Sequence, residues 1–207
     1  MSSSDSTFFQ GWTLVYLTAA AMLAWFAVNF AVTGGTDEGQ LYFIRYAVRP
    51  TLIVFALAFT ASSLVKLWPN GFTRWQMKNR RYIGVSFATA HLLHLGAVVL
   101  WALGRPEPFM TQPPLPIWLG GLSGYVFIVA MLITSFNGPA RAIGPKAWRV
   151  LHKVGIYYVW ALFTLALTLR SLADAFYVPF AGFMFALLLV RICAHLMGRG
   201  ARATAAA

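Results

Sequence analysis

The sequence predicts an all-α integral membrane protein, a six-transmembrane-helix bundle with both termini cytoplasmic. Its 207 residues are 59% hydrophobic and only 10% charged, whereas an ordinary soluble domain is about a quarter charged. The apolar residues fall into six runs, each near the roughly twenty residues that cross a bilayer. An open sheet cannot satisfy its backbone in lipid, and the sequence lacks the alternating pattern of a barrel, so we expect these runs to be helices.

Turn-forming and basic residues set the ends of the predicted spans. Gly34 and Gly35 follow the first span, and a basic segment at 69–81, predicted as a loop, separates the second from the third. Asn137 stops the fourth span, and a short turn with Gly144 and Pro145 leads into the fifth. The predicted spans are 12–32, 42–68, 82–103, 117–136, 146–169 and 178–197. Residues 11–197 are therefore one transmembrane domain, between an N-terminal tail at 1–10 and a disordered tail at 198–207.

The basic residues indicate orientation. Net charge is +11, but the positive residues stand at the ends of the apolar runs, which is typical of a protein in a lipid bilayer and excludes nucleic acid as a partner. Twelve of the sixteen basic residues lie on one side of the predicted topology. They stand in the loop after the second span, around the turn between the fourth and fifth, and at the end of the sixth. The positive-inside rule therefore places that side, with both termini, in the cytoplasm. These residues are Lys66, Arg74, Lys78, Arg80, Arg81, Arg141, Lys146, Arg149, Lys153, Arg191, Arg199 and Arg202.

Length and cysteine content exclude several classes of protein. Six spans leave only short loops and tails, so no room remains for a soluble nicotinamide or flavin domain, and its glycine-rich turn is absent from the sequence. The single cysteine, Cys193, excludes an internal disulfide and a Cys-x-x-Cys-His attachment site. A bound haem would therefore be non-covalent.

Four histidines are the candidate functional residues: His91 and His94 in the third span, His152 at the start of the fifth and His195 near the end of the sixth. Imidazoles inside a membrane are expected to face protein or a bound group. His91 and His94 are three residues apart and lie on one face of a helix. Zinc is disfavoured because the spans offer few carboxylates and one cysteine.

Bis-histidine haem ligation needs imidazoles from separate helices. Depth along the helices favours His91 as the partner of His152. Arg191 lies one helical turn before His195, so both could hold a haem propionate or a quinone carbonyl. Arg149, next to the fifth span, is a further candidate for steadying a propionate or attracting an anionic flavin. For His195 alone, a structural hydrogen bond to a neighbouring carbonyl is the competing interpretation.

Two segments of the chain resemble a known family. Arg-Arg-Tyr-Ile-Gly at 80–84, followed ten residues later by His94, resembles the opening and first haem histidine of the ferric reductase-like transmembrane family. Thr134 and Ser135, Gly144, and the run from Trp148 to His152 with Tyr157 resemble its segment at the start of the fifth span. Arg45 to Arg49 is a weaker match. The resemblance covers residues 42–170 and is greatest to the MsrQ type of haem-binding membrane subunit.

The resemblance implies a membrane b-type cytochrome with one haem b, or two, and with FMN or a quinone as a further cofactor. It would pass electrons across the bacterial inner membrane from a cytoplasmic flavin reductase or a quinol to an acceptor on the outer face, in the MsrQ type a periplasmic molybdoenzyme. Such a chain is an electron-transfer subunit of an oxidoreductase system rather than a self-contained enzyme. His94 and His152 match family positions for haem and iron ligands.

The chain departs from the family pattern at two positions. Leu165 stands where the family has a further histidine in the fifth span, and Arg80 falls near the position of the wider family's partner to His152. His91 is absent from the motif and offers a ligand shifted by one helical turn.

Two other functions stay open from the sequence. One is a quinone-linked cytochrome b of another lineage, and the other is a small transporter or anchoring partner whose histidines are structural. Paired broken helices, which many transporters carry in corresponding halves, are not evident in the sequence.

Overall fold

The computed structural model describes residues 9–104 and 115–204, with the side chains of 9–104 and 119–198. The described chain is almost entirely helical and contains no strand. The helices are α1 (Trp12–Thr33), α2 (Asp37–Leu67), α3 (Gly71–Gly104), α4 (Leu115–Ile133), α5 (Asn137–Ala173) and α6 (Val178–Thr204), with a short 3₁₀ turn at Ala175–Tyr177 before α6. The predicted N-terminal tail falls mostly on residues 1–8, outside the described residues.

The helices confirm a multi-pass membrane protein. Five of them are long and apolar enough to cross a membrane, and a further apolar helical segment, Leu119–Ile133, is shorter. Such helices pair every interior backbone group within the segment, which lipid requires because it offers no hydrogen-bond partner. The predicted all-α fold is therefore confirmed, whereas the orientation of the termini stays a prediction.

The basic segment predicted as a loop at 69–81 is helical from Gly71 onward, so that prediction was wrong. Asn70 and Thr73 explain the early start of α3. The backbone N–H of Thr73 donates to Asn70 Oδ1, and the backbone N–H of Asn70 donates to Thr73 Oγ1, both at 3.0 Å. This reciprocal pair satisfies two backbone donors at the start of the helix and allows it to begin eleven residues before the predicted span.

Helix α6 also continues past the predicted span. It runs to Thr204, whereas the sequence analysis placed a disordered tail from residue 198, and residues 205–207 lie outside the described part of the chain. Alanine and arginine, which are frequent in this stretch, have high helix propensity, so the backbone continues the helix of the apolar run.

The chain divides into two units. The first is Met1–Ala58 with Lys78–Pro114, and the second is Phe59–Met77 with Leu115–Ala207. In the first unit, an apolar core forms around Met22 of α1, Phe43 and Ala47 of α2 and Ala90 of α3. The side chain of Asn29 in α1 donates to the backbone oxygen of Gly39 in α2 at 2.8 Å, so a buried polar side chain joins these two helices.

In the second unit, α5 packs against both α4 and α6. Small residues bring α4 and α5 close together, as in many membrane helix pairs. A Cβ atom on Gly124 would lie 2.7 Å from Leu162 Cδ1, and one on Gly155 would lie 2.8 Å from Met131 Sδ. A larger residue at either position would require the neighbouring side chain to move.

A glycine interrupts α5 near its start. Gly144 has φ 75° and ψ 164°, a conformation that essentially only glycine adopts. Pro145 follows as the first residue of the long second part, where its missing N–H needs no partner. The break agrees with the predicted turn at these two residues, although a short helical segment from Asn137 precedes it.

Candidate functional site

His91 and His94 lie together on α3 in the first unit. Their ring centroids are 5.6 Å apart, which confirms that they share a face of the helix. His91 is buried, with 7% of its surface exposed, and Phe87 stacks on its ring at 5.2 Å. The imidazole of His91 is thus enclosed by protein, and that of His94 beside it is partly buried.

His94 has a buried ring atom without a partner. Its Nδ1 atom has no hydrogen bond within the described part of the chain. Buried polar atoms are rarely left unsatisfied, and such an atom calls for an explanation such as an absent ligand or water. Haem iron binds imidazole nitrogen, so either His91 or His94 is chemically suited to hold that group from this helix.

His152 occupies a different environment in the second unit. Its Nε2 atom lies 2.9 Å from Thr134 Oγ1, and Trp148 stacks on its ring at 4.2 Å. The Thr134 hydroxyl donates to the backbone oxygen of Ala130 at 2.7 Å. Because a hydroxyl carries one proton, Thr134 accepts the bond from His152, whose Nε2 therefore carries its proton.

The same threonine also holds Trp148. The indole N–H of Trp148 donates to the backbone oxygen of Thr134 at 2.8 Å. Thr134 follows the last residue of α4, so its backbone carbonyl is one of those that the helix leaves unpaired. The cluster of Thr134, Trp148 and His152 therefore joins the end of α4 to the start of the long part of α5 and fixes the orientation of the imidazole. Iron ligation by Nε2 would replace the bond to Thr134.

Arg191 on α6 lies between two aromatic rings. Its guanidinium carbon is 4.5 Å from the ring centroid of Phe59 and 4.7 Å from that of Tyr157. Its Nε donates to Tyr157 Oη at 3.0 Å, and its Nη1 donates to the backbone oxygen of Phe59. This arrangement joins α6 to α5 and to the end of α2.

The remaining predicted residues lie at the surface. The side chains of His195 and Arg149 are both exposed. His195 therefore does not share the environment of Arg191, although the two stand one helical turn apart. No group of three or more histidine, cysteine, aspartate or glutamate residues that could hold a metal ion occurs among the described residues.

The structure brings some predicted residues together and leaves others separate. His91 and His94 form one group in the first unit, whereas His152, Arg149, Arg191 and His195 belong to the second. Three residues have roles that were not predicted from the sequence: Thr134 as the partner of His152, Phe59 as a partner of Arg191, and Trp160, which stacks on Phe59. The Thr-Ser pair before the helix break was the available signal for the first. Phe59 and Trp160 lie in uniformly apolar runs and carried no signal.

Phe59 and Trp160 extend the contacts of Arg191 into the core of the second unit. Their rings stack nearly parallel, with centroids 6.3 Å apart. The indole N–H of Trp160 donates to the backbone oxygen of Met184 at 2.9 Å. Arg191 is therefore part of a connected aromatic and hydrogen-bonded cluster that joins α2, α5 and α6.

Comparison with known proteins identifies the class. The family model described as "Ferric reductase like transmembrane component" matches residues 43–166, which include His91, His94 and His152. The chain belongs to this family. No solved structure matches it.

One curated relative adds a more specific resemblance. The chain is 26% identical over 134 residues to the protein-methionine-sulfoxide reductase heme-binding subunit MsrQ of Herminiimonas arsenicoxydans. The match covers 63% of this chain and 54% of the relative, so the chain spans about half the length of the protein it matches. The resemblance to the MsrQ type is thereby supported at low identity.

Proposed function

We propose that this protein is a haem-binding electron-transfer subunit of the bacterial inner membrane, with His94 as its first candidate ligand. The observation that carries the proposal is the buried Nδ1 of His94, which has no hydrogen-bond partner among the described residues. An intramembrane imidazole without a partner is costly unless a bound group satisfies it. Family membership supports haem as that group, and the relative is named as a heme-binding subunit.

The haem would be of the b type. Cys193, the single cysteine in the sequence, cannot form the two thioether bonds of a Cys-x-x-Cys-His site, so attachment would rest on histidine ligation and apolar contacts. When bound, haem iron supplies a one-electron carrier that alternates between its ferric and ferrous forms. The chain's contribution is to bury the imidazole of His91 against the ring of Phe87 and to enclose that of His94 in part, and so to limit the access of water to both.

His152 stays a ligand candidate from the sequence, as does its pairing with His91 or His94. Trp148 and Thr134 hold its ring in one orientation. A fixed ring suits an iron ligand and a structural histidine equally. Arg149 and Arg191 stay candidates for contacts to a propionate, a flavin or a quinone, whereas we give the exposed His195 no part in haem binding. For Arg191, the two hydrogen bonds to Tyr157 and Phe59 already provide a structural role.

The direction of electron transfer is proposed from charge. Twelve of the sixteen basic residues fall on one side of the predicted topology, so that side and both termini would be cytoplasmic. A flavin reductase or quinol would donate electrons there, and an acceptor, in the MsrQ system a periplasmic molybdoenzyme, would receive them at the outer face.

The test compares histidine variants of the full chain expressed with added haem precursor. Wild-type protein is expected to show a reducible haem b in dithionite-reduced minus oxidised spectra and in a pyridine haemochrome assay. His94→Ala should lose at least half of the bound haem, and His91→Ala and His152→Ala test the other two candidates. His195→Ala is the matched control because its imidazole is exposed, and it should keep the wild-type haem content.

Two results would contradict the proposal. The first is a wild-type protein that stays free of haem although it is folded and supplied with haemin. The second is a His94→Ala variant whose haem content and spectrum equal those of His195→Ala.

A separate experiment identifies the electron donor. The reduced haem band should appear on addition of either menaquinol or a flavin reductase with its reduced flavin, and the donor that reduces the haem faster identifies the class.

A further inference from the structure

An apolar groove with a cation at one end lies between α4 and α5 in the second unit. Its volume is about 640 Å³, and it is a largely open groove rather than an enclosed cavity. The apolar side chains that line it include Phe127, Ile143, Val150, Leu151 and Val154. The groove is open along one side, so its contents would also contact the lipid around the protein.

Lys146 is the charged residue among those that line the groove. It stands two residues after the break at Gly144, at the start of the long part of α5. Val150 and Val154 follow it at intervals of four residues, so they continue the same helix face for about 12 Å along the axis. The groove therefore presents a positive charge at one end and a continuous apolar stripe beyond it.

The surrounding sequence strengthens the positive charge. Residues 115–173 contain no aspartate or glutamate, whereas Arg141, Arg149 and Lys153 flank Lys146 within twelve residues. All three side chains are exposed. A ligand at this end of the groove thus meets several cations and no nearby carboxylate of the same segment, which favours an anionic head group.

We infer that the groove binds one anionic phospholipid, with its phosphate at Lys146 and an acyl chain along the stripe of Val150 and Val154. The apolar stripe and the positive charge at its end match a molecule that is apolar over most of its length and negative at one end. A neutral lipid or a quinone would fill the apolar part but would leave the cation unmatched. This inference is independent of haem binding.

The experiment measures lipid retention by native mass spectrometry of the full chain in detergent, with phosphatidylglycerol or phosphatidylcholine added at equal concentration. Wild-type protein should retain one phosphatidylglycerol about fivefold more than phosphatidylcholine, since a lysine near an anionic lipid contributes about 1 kcal/mol. Lys146→Gln should reduce this preference to less than twofold. Lys66→Gln removes the same charge from an exposed residue at the end of α2, which does not line the groove and is not one of the cations that flank Lys146, and it should keep the preference.

A second pair of variants tests the apolar part. Val154→Trp fills the groove from a side chain that is 50% exposed, and it should lower the retained phosphatidylglycerol at least fivefold. Leu165→Trp, at a residue of the same helix that is 57% exposed and outside the groove, should not. Equal losses in Lys146→Gln and Lys66→Gln would overturn the inference in favour of general attraction to a basic surface. Retention of both lipids alike by the wild type would overturn it as well.

Discussion

Replacing Tyr157 by phenylalanine tests whether Arg191 has the structural role that its contacts indicate. The change removes the hydroxyl that accepts from Arg191 Nε at 3.0 Å and leaves the ring under the guanidinium in place. Hydrogen bonds to charged groups contribute about 1.5 to 3 kcal/mol in soluble proteins. In membrane proteins, interhelical hydrogen bonds reach at most about 1.7 kcal/mol. We therefore expect a loss of about 1.5 kcal/mol in the free energy of unfolding.

The neighbouring tyrosine provides the matched control. Tyr158 Oη lies 2.6 Å from Ser123 Oγ, and this bond joins two neutral groups. Tyr158→Phe should cost about 0.6 kcal/mol, the average for membrane proteins. Both variants lose one hydroxyl from adjacent residues of α5, so the difference between them isolates the charged partner.

Reversible unfolding in a graded series of sodium dodecyl sulfate, followed by far-ultraviolet circular dichroism, measures both values. The unfolding equilibrium constant should rise more than tenfold for Tyr157→Phe and about threefold for Tyr158→Phe. The reasoning fails if Tyr157→Phe unfolds like the wild type, or if Tyr158→Phe is the more destabilised of the two. In that case Arg191 would not depend on Tyr157, and its contacts with Phe59 alone would hold it.

Two further predictions use the same assay. Thr134→Val removes the hydroxyl that accepts from His152 Nε2 and should lower the free energy of unfolding by about 1 kcal/mol. The control is Thr168→Val, because the buried hydroxyl of Thr168 has no hydrogen-bond partner among the described residues, and it should lower that free energy less than half as much. Equal losses would refute the role given to Thr134. Gly144→Ala places a side chain at φ 75° and should lower the free energy of unfolding by about 1 to 3 kcal/mol. Gly138→Ala is the control, since an added Cβ there meets nothing within 4 Å, and it should unfold like the wild type. If Gly144→Ala lost no stability, α5 would not need the break.

Hydropathy predicted the apolar part of each helix well and the ends of the helices less well. The runs that cross the membrane agree with the observed helices, because lipid forces an apolar segment to pair its own backbone. Helix α3, however, begins at Gly71 within a basic segment. Its start depends on the capping residues Asn70 and Thr73, and hydropathy carries no information about caps.

The candidate site was predictable to the extent that it is local. A separation of three residues places His91 and His94 on one helix face in any α-helix, and the structure confirms their contact. The motif around Trp148 and His152 also correctly marked residues that lie together. Their partner Thr134 stands eighteen residues before His152, across the helix break, and only the packing of α4 on α5 shows which of its atoms are used.

The sequence by itself therefore determined the class of this protein: a chain of apolar helices, three of which carry histidines, and a member of the ferric reductase-like family by its motifs. Only the tertiary structure decided which polar groups satisfy one another, such as Arg191 and the backbone oxygen of Phe59, 132 residues apart. The physical reason is that helix formation in lipid follows from local composition, whereas the partner of a buried donor depends on which helices lie side by side and at what height.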